Sequence, residues 1–223
     1  MHRGDIIVRR RPTRRIHAAL IGALLVLASP ARGEPESGAP DLSDAQRVAE
    51  QVCAACHGVG GQSKQGAYPS LAGQNADYLH KQMRQFKGTP GEKPLRDNEV
   101  MRAVMEPFKD NEMQNLARYF SHRPPARSQP VSADLVEPGR AIYWKGNPAH
   151  GLPACVSCHR PAGEGIAPDF PRIGGQQSEY VAKQLRAWRT GLRGGPGKLM
   201  SLIVPLMSDG EIEAVAQYVA QLQ

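Results

Sequence analysis

The feature that most constrains this chain is a repeated pentapeptide. Cys53-Ala54-Ala55-Cys56-His57 returns 102 residues later as Cys155-Val156-Ser157-Cys158-His159. Cysteines three apart occupy neighbouring positions of one helical turn, and the His that follows leaves from the same turn. This pattern fits c-type haem attachment. Each thiol forms a thioether to one vinyl group, and the His becomes the proximal iron ligand. A zinc site and a redox dithiol are the competing readings. A zinc site built from both pairs would normally separate them by about 12–20 residues, whereas Cys56 and Cys155 are 99 apart. A redox dithiol has no use for a His directly after the second Cys in two places. All four cysteines fall in the two motifs, leaving none for a structural disulfide. The reading is two covalently bound haem c groups, on Cys53 and Cys56 and on Cys155 and Cys158, with His57 and His159 as axial ligands.

The repeat extends beyond the motifs. At the same offset Tyr68-Pro69 meets Phe170-Pro171, and Leu71, Gly73 and Gln74 meet Ile173, Gly175 and Gln176. Tyr78, Lys81, Gln82 and Phe86 meet Tyr180, Lys183, Gln184 and Trp188. After a three-residue deletion, Met101 meets Met200, Glu112 meets Glu211 and Tyr119 meets Tyr218. An internal duplication of this kind makes two domains, 34–123 and 134–223. The proline-rich run 124–133, with Pro124, Pro125 and Pro130, is the linker, since it cannot continue a helix. Domains of about 90 residues sit near the size at which a core alone is marginal. A buried haem would supply apolar surface that aromatics, 5% of the chain, do not.

The periodicity is helical. Helices are expected over 42–56, 76–86, 110–120, 135–144, 178–188 and 208–222. Asp41 or Ser43 is the expected N-cap of the first, and Ser208-Asp209-Gly210-Glu211 fits a capping box. No alternating run suggests a strand, so the fold class is all-α. Gly- and Pro-rich loops at 58–73 and 161–175 suit backbone that wraps a flat cofactor.

Residues 1–33 have the three-part pattern of a signal peptide: an Arg-rich start, an apolar run from Ile16 to Ala28, then small residues. The run is shorter than the roughly 20 residues a membrane span needs; an uncleaved anchor is the alternative. This leader holds seven Arg against one Asp, or +6 of the net +7, leaving 21 basic and 20 acidic residues. The basic balance is therefore no argument for nucleic acid.

The sixth iron ligand decides function. His/Met closure suits electron transfer, while an open face admits substrate. Met83, Met105 and Met113 align with Leu185, Val204 and Ile212, and Met207 with Phe108, as packing positions do. Met101 and Met200 coincide, which points to them as the axial methionines; Met105 is the fallback in the first half. His80, His122 and His150 are not repeated and read as surface or loop residues. Pro69 and Pro171, each 12 residues after a ligand His, offer a loop carbonyl to its other ring nitrogen. The repeated Gln74, Gln176, Tyr78, Tyr180, Lys81 and Lys183 hold propionates, line the domain interface, or merely pattern a helix.

With these residues in view, the mature chain resembles the cytochrome c4 family of periplasmic dihaem cytochromes. The likeness rests on Tyr-Pro-Ser-Leu-Ala-Gly-Gln (68–74), Tyr-Leu-His-Lys-Gln-Met (78–83), Phe-Pro-Arg-Ile-Gly-Gly-Gln (170–176) and Tyr-Val-Ala-Lys-Gln-Leu (180–185) around the two haem motifs. The resemblance implies two class I cytochrome c domains related by a pseudo-twofold, with propionate edges near each other. It agrees on Met101 and Met200. The chain departs from the family pattern at 105–109, which lacks a Leu-Ser opening, and at the added Pro205. The resemblance implies an electron carrier in the periplasm, with peripheral membrane association left open. Its donor would be a quinol-oxidising complex or dehydrogenase and its acceptor a terminal oxidase. The alternative is a dihaem enzyme, a peroxidase or thiosulfate-oxidising cytochrome, with one open haem.

Overall fold

The computed structural model describes residues 42–92, 94–126, 131–194 and 198–222. The expected leader and the possible cap Asp41 lie outside them. No named strand occurs among the described residues, only isolated bridges. None of the described helices is long and apolar enough to cross a membrane.

The first half opens with α1 (Ser43–Val48), which runs through a π-helical turn (Ala49–Cys53) into α2 (Ala54–His57). Leu42, not Ser43, occupies the N-cap position, and its side chain has no oxygen to cap with. Then come α3 (Ala76–Lys87), α4 (Glu99–Met105) and α5 (Asp110–Ser121). Ala45, Ala49, Leu79, Leu116, Ala117, Tyr119 and Phe120 form its core. Met105, Met113 and Phe86 form a second cluster beside it.

The second half holds α6 (Ala133–Lys145), α7 (Val156–His159), α8 (Ser178–Arg189), α9 (Leu199–Ile203) and α10 (Asp209–Gln221). Its core is built where α6 crosses α10, around Tyr143, Val204, Ile212, Ala216 and Val219. Burying each larger aliphatic there contributes about 1.5–3 kcal/mol. The crossing is close because Gly139 has no side chain: a Cβ would lie 2.0 Å from the Ala214 carbonyl oxygen.

The halves approach their haem motifs differently. In the first, a continuous helix delivers Cys53. In the second, α6 stops at Gly146 (φ 66°), where a Cβ would meet the Leu152 oxygen at 2.1 Å. A loop bridged between Asn147 and Leu152 then leads to the single turn of α7. Gly146, Pro148 and Pro153 account for the break. Helices α4 and α9 were not expected from the sequence; both are too short for periodicity to register. The capping box at Ser208 is present, with Glu211 N–H donating to Ser208 Oγ (3.2 Å) and Ser208 N–H to Glu211 Oε2 (2.7 Å). At α5 half of it survives: Lys109 N–H donates to Glu112 Oε2 at 2.7 Å, but Lys109 offers no side-chain acceptor.

Candidate haem sites

Each motif ends on a buried histidine held the same way. His57 Nδ1–H donates to the Pro69 carbonyl at 2.8 Å, and His159 Nδ1–H to Pro171 at 3.0 Å. A carbonyl can only accept, so the proton is on Nδ1 and Nε2 is left as the ligand atom. Burial lowers the proton affinity of both rings; the carbonyl bond opposes this at each, and at His57 the Arg96 charge adds to it. Burial therefore favours the neutral imidazole at both positions, the form that ligates iron. The Tyr68 ring meets His57 edge-on at 6.4 Å, and Phe170 meets His159 at 6.3 Å.

The loops that carry the prolines are pinned by matching bonds. Leu71 and Ala72 N–H donate to Gly61 O; Ile173 and Gly174 N–H donate to Gly163 O. Gly73 and Gly175 N–H then reach the Phe120 and Val219 carbonyls at the ends of α5 and α10. The carbonyl behind each histidine is thus tied to the last helix of its own half.

Cys53 and Cys155 are partly buried, and burial pushes each thiol up to about 11.

Met101 lies on α4 and Met200 on α9, the equivalent short helices, both partly buried against the cores. Met105, by contrast, is 2% exposed and packs with Phe86 and Met113, while Met207 is buried in the other core. His80 pairs with Asp110 at 3.0 Å and His122 bonds the Arg118 carbonyl of its own helix. His150 lies beside Asn147 and Glu211.

The other repeated residues divide. Gln74 Nε2 donates to Arg172 O (2.7 Å) and its Oε1 accepts from Arg172 N (2.8 Å). Gln176 does the same to Ser70, at 2.9 and 2.8 Å. Each glutamine therefore clamps the residue after the proline that holds the other half's histidine. Tyr78 and Tyr180 also reach across, each accepting from an arginine of the opposite half. Lys81 pairs with Asp169 at 2.5 Å, while Lys183 is exposed. Interface is the reading these contacts support for all but Lys183.

Arg96 and Arg193 escaped the sequence reading. They stand five and seven residues before Met101 and Met200, so neither offset aligns them. Their common place ahead of the repeated methionine was the available signal.

A family model for cytochrome c matches residues 42–123 and again 136–223. Cytochrome c4 of Azotobacter vinelandii is 40% identical over 178 residues, covering 77% of this chain and 84% of that one. The chain belongs to the cytochrome c4 family. The crystal structure of reduced recombinant cytochrome c4 from Pseudomonas stutzeri superposes with a TM-score of 0.76 at 34% identity, covering 83% of this chain and all of the other. A relative named thiosulfate dehydrogenase electron acceptor, from Thiomonas intermedia (strain K12), is 35% identical over 217 residues, covering 94% of this chain and 91% of its own. Membership brings two covalently attached haem c groups and the coarse role of electron carrier. The residues fit that cofactor: two buried neutral histidines with a free Nε2, each on one helical turn with two thiols.

Proposed function

We propose that this chain is an exported dihaem electron shuttle of the periplasm, able to associate peripherally with the membrane. In this reading residues 1–33 are the signal peptide, and 34–123 and 134–223 are the haem domains, joined by 124–133. His57 and Met101 close one iron, His159 and Met200 the other. Haem supplies the redox change; the chain holds the ligands, limits water and keeps the two centres docked.

One observation supports the reading: both halves offer the same candidate ligands. Each has a buried, carbonyl-oriented histidine and a partly buried methionine on the equivalent short helix. The donated Nδ1 proton makes the ligand nitrogen more basic, and a closed, low-spin iron exchanges electrons without room for substrate. Met105, 2% exposed and packed with Phe86 and Met113, is read as a core residue in place of the fallback ligand.

The donor is a quinol-oxidising complex or a periplasmic dehydrogenase, and the acceptor a terminal oxidase. The Thiomonas relative's name favours, among dehydrogenases, one that oxidises thiosulfate. In this reading the chain stands downstream of sulfur chemistry as an electron acceptor rather than as the dihaem enzyme.

Optical spectra of the holoprotein test the ligand set. The ferric form should show a weak far-red methionine band, lost in stages with Met101→Ala and Met200→Ala, and the ferrous form should not bind carbon monoxide. A high-spin ferric centre in the wild type, or rapid carbon monoxide binding, would replace the shuttle by an enzyme with an open haem.

A further inference from the structure

The turns that leave the two motif histidines begin alike. Gly58 has φ 76° and ψ 162°; Arg160, at the matching place, has φ 65° and ψ 167°. Among the described residues Arg160 alone of the non-glycines has a positive φ. That region is open essentially to glycine, because a Cβ there crowds the backbone. A Cβ on Gly58 would stand 2.1 Å from the Gln62 carbonyl oxygen. The backbone bonds repeat as well. Gly58 N–H donates to Ala54 O and Arg160 N–H to Val156 O, both at 2.9 Å. Gly61 N–H donates to Gly58 O and Gly163 N–H to Arg160 O, both at 3.0 Å. Tyr143 Oη adds a further bond to the Arg160 carbonyl at 2.5 Å. Only then do the turns part. Gln62 N–H returns to Val59 O at 3.2 Å, whereas Gly165, with φ 76°, sends its N–H to the His159 carbonyl at 3.0 Å. The second half thus has a glycine where the first has Ser63, and an arginine where the first has a glycine.

Backbone bonds hold Arg160 in this conformation, and its side chain adds nothing to them. Arg160 is exposed. Among the described residues its guanidinium makes no ion pair, hydrogen bond or ring contact. Both acids of its own loop are committed elsewhere: Glu164 Oε2 accepts from Ala162 N–H at 2.9 Å, and Asp169 pairs with Lys81. Strained residues of this kind collect where a side chain has work to do, and here the chain itself supplies no partner for it.

We infer that Arg160 is a recognition residue for a redox partner whose surface presents carboxylates, and that this partner exchanges electrons at the second haem. The inference rests on the shuttle reading and names the surface chemistry of one partner. Arg160 follows His159 directly, so a carboxylate drawn to it is brought to the second centre. The first half offers Gly58 and no charge. A single exposed cation acts on encounter more than on the bound complex, so its effect lies in the association rate and its salt dependence.

The test is stopped-flow oxidation of the ferrous holoprotein, in which each haem gives one electron to one oxidant ion and becomes ferric. Hexacyanoferrate(III) is the anionic oxidant and tris(phenanthroline)cobalt(III) the cationic one. Arg160→Gly and Arg160→Gln should slow oxidation by the anion about fivefold at low ionic strength and converge on wild type at high salt. Arg160→Lys should keep most of the rate, and the cobalt complex should not be slowed. Losing a positive charge also lowers the potential, which speeds oxidation, so any slowing comes from encounter. Lys64→Gln removes an exposed charge from the corresponding loop of the first half and should leave the rate near wild type. Poly-L-glutamate, as a carboxylate surface, should protect 156–166 from hydrogen exchange in wild type and not in Arg160→Gly. Equal anion rates in wild type and Arg160→Gly would overturn the inference. So would Lys64→Gln slowing the reaction as much, or protection confined to other segments. Phosphatidylglycerol vesicles that bind wild type, fail to bind Arg160→Gly and resist displacement by polyglutamate would give Arg160 to a lipid surface and overturn the protein partner. A high-spin or carbon monoxide-binding wild type is the separate failure of the shuttle reading, visible in spectra before any rate is measured.

Discussion

Replacing Gln176 with Ala removes three hydrogen bonds. They are those to the Ser70 N–H and C=O, at 2.8 and 2.9 Å, and one from the Gln177 N–H at 3.0 Å. Gln177 is 2% exposed, so its N–H also loses its partner. Ser70 is 6% exposed, so its two backbone groups are left unpaired. Each costs about 1–3 kcal/mol when buried without a partner. A small cavity lined by Ser70, Gln74, Arg172 and Gln176 lies beside the clamp and can admit a water. For three such groups that puts the loss at the low end, about 3 kcal/mol. Urea unfolding of the holoprotein, followed by far-ultraviolet circular dichroism, measures it as a fall in midpoint at constant slope. Gln74→Ala is the mirror image, against Arg172. Because both clamps close one interface, the double variant should lose less than the sum of the singles. Ser70 follows Pro69, so Gln176→Ala should also raise the potential of the haem held by His57, by loosening a carbonyl in the opposite half. Losses below about 0.5 kcal/mol in both single variants would refute the argument, because exposed groups would explain them equally well.

Three further outcomes follow from local geometry. Arg160 has φ 65° and ψ 167°, the conformation of its counterpart Gly58 and one that side chains resist; Arg160→Gly should stabilise the protein by about 1 kcal/mol and raise its melting temperature by a few degrees, and an unchanged or lower melt would count against the strain. Gly139→Ala forces a Cβ against the Ala214 carbonyl, so thermal melting should show a loss of more than about 2 kcal/mol; a neutral result would mean that α6 and α10 do not cross there. Burial tends to raise the Glu211 carboxyl, but hydrogen bonds from Asn147 and Ser208 outweigh it and hold it below its ordinary 4.5. Its stabilisation is therefore complete above pH 4.5 and lost as pH falls through the depressed value. Glu211→Gln should lower the neutral-pH urea midpoint and flatten its acid decline, and a parallel decline in both proteins would exclude Glu211 as a source.

The sequence by itself determined the haem motifs, the duplication, the all-helical class and most helix positions, because each is written in local spacing. The thiols, the following histidine and the period of apolar residues lie within a few turns of one another. It also located the carbonyl behind each histidine, since Pro69 and Pro171 stand at one fixed distance from the ligand. The short helices α4 and α9 stayed hidden because one or two turns carry no readable period. The break between Lys145 and Val156 was legible, since the helix expected over 135–144 ends ahead of Gly146, Pro148 and Pro153. Tertiary structure alone decided what lies between the halves. Gln74 and Gln176 grip backbone groups, which every residue possesses, so no side-chain pattern marks their targets. Arg96 and Arg193 look like two more surface cations until folding places them together without an acid. Burial and the pairing of distant charges are properties of the assembled halves, and no stretch of sequence encodes them alone.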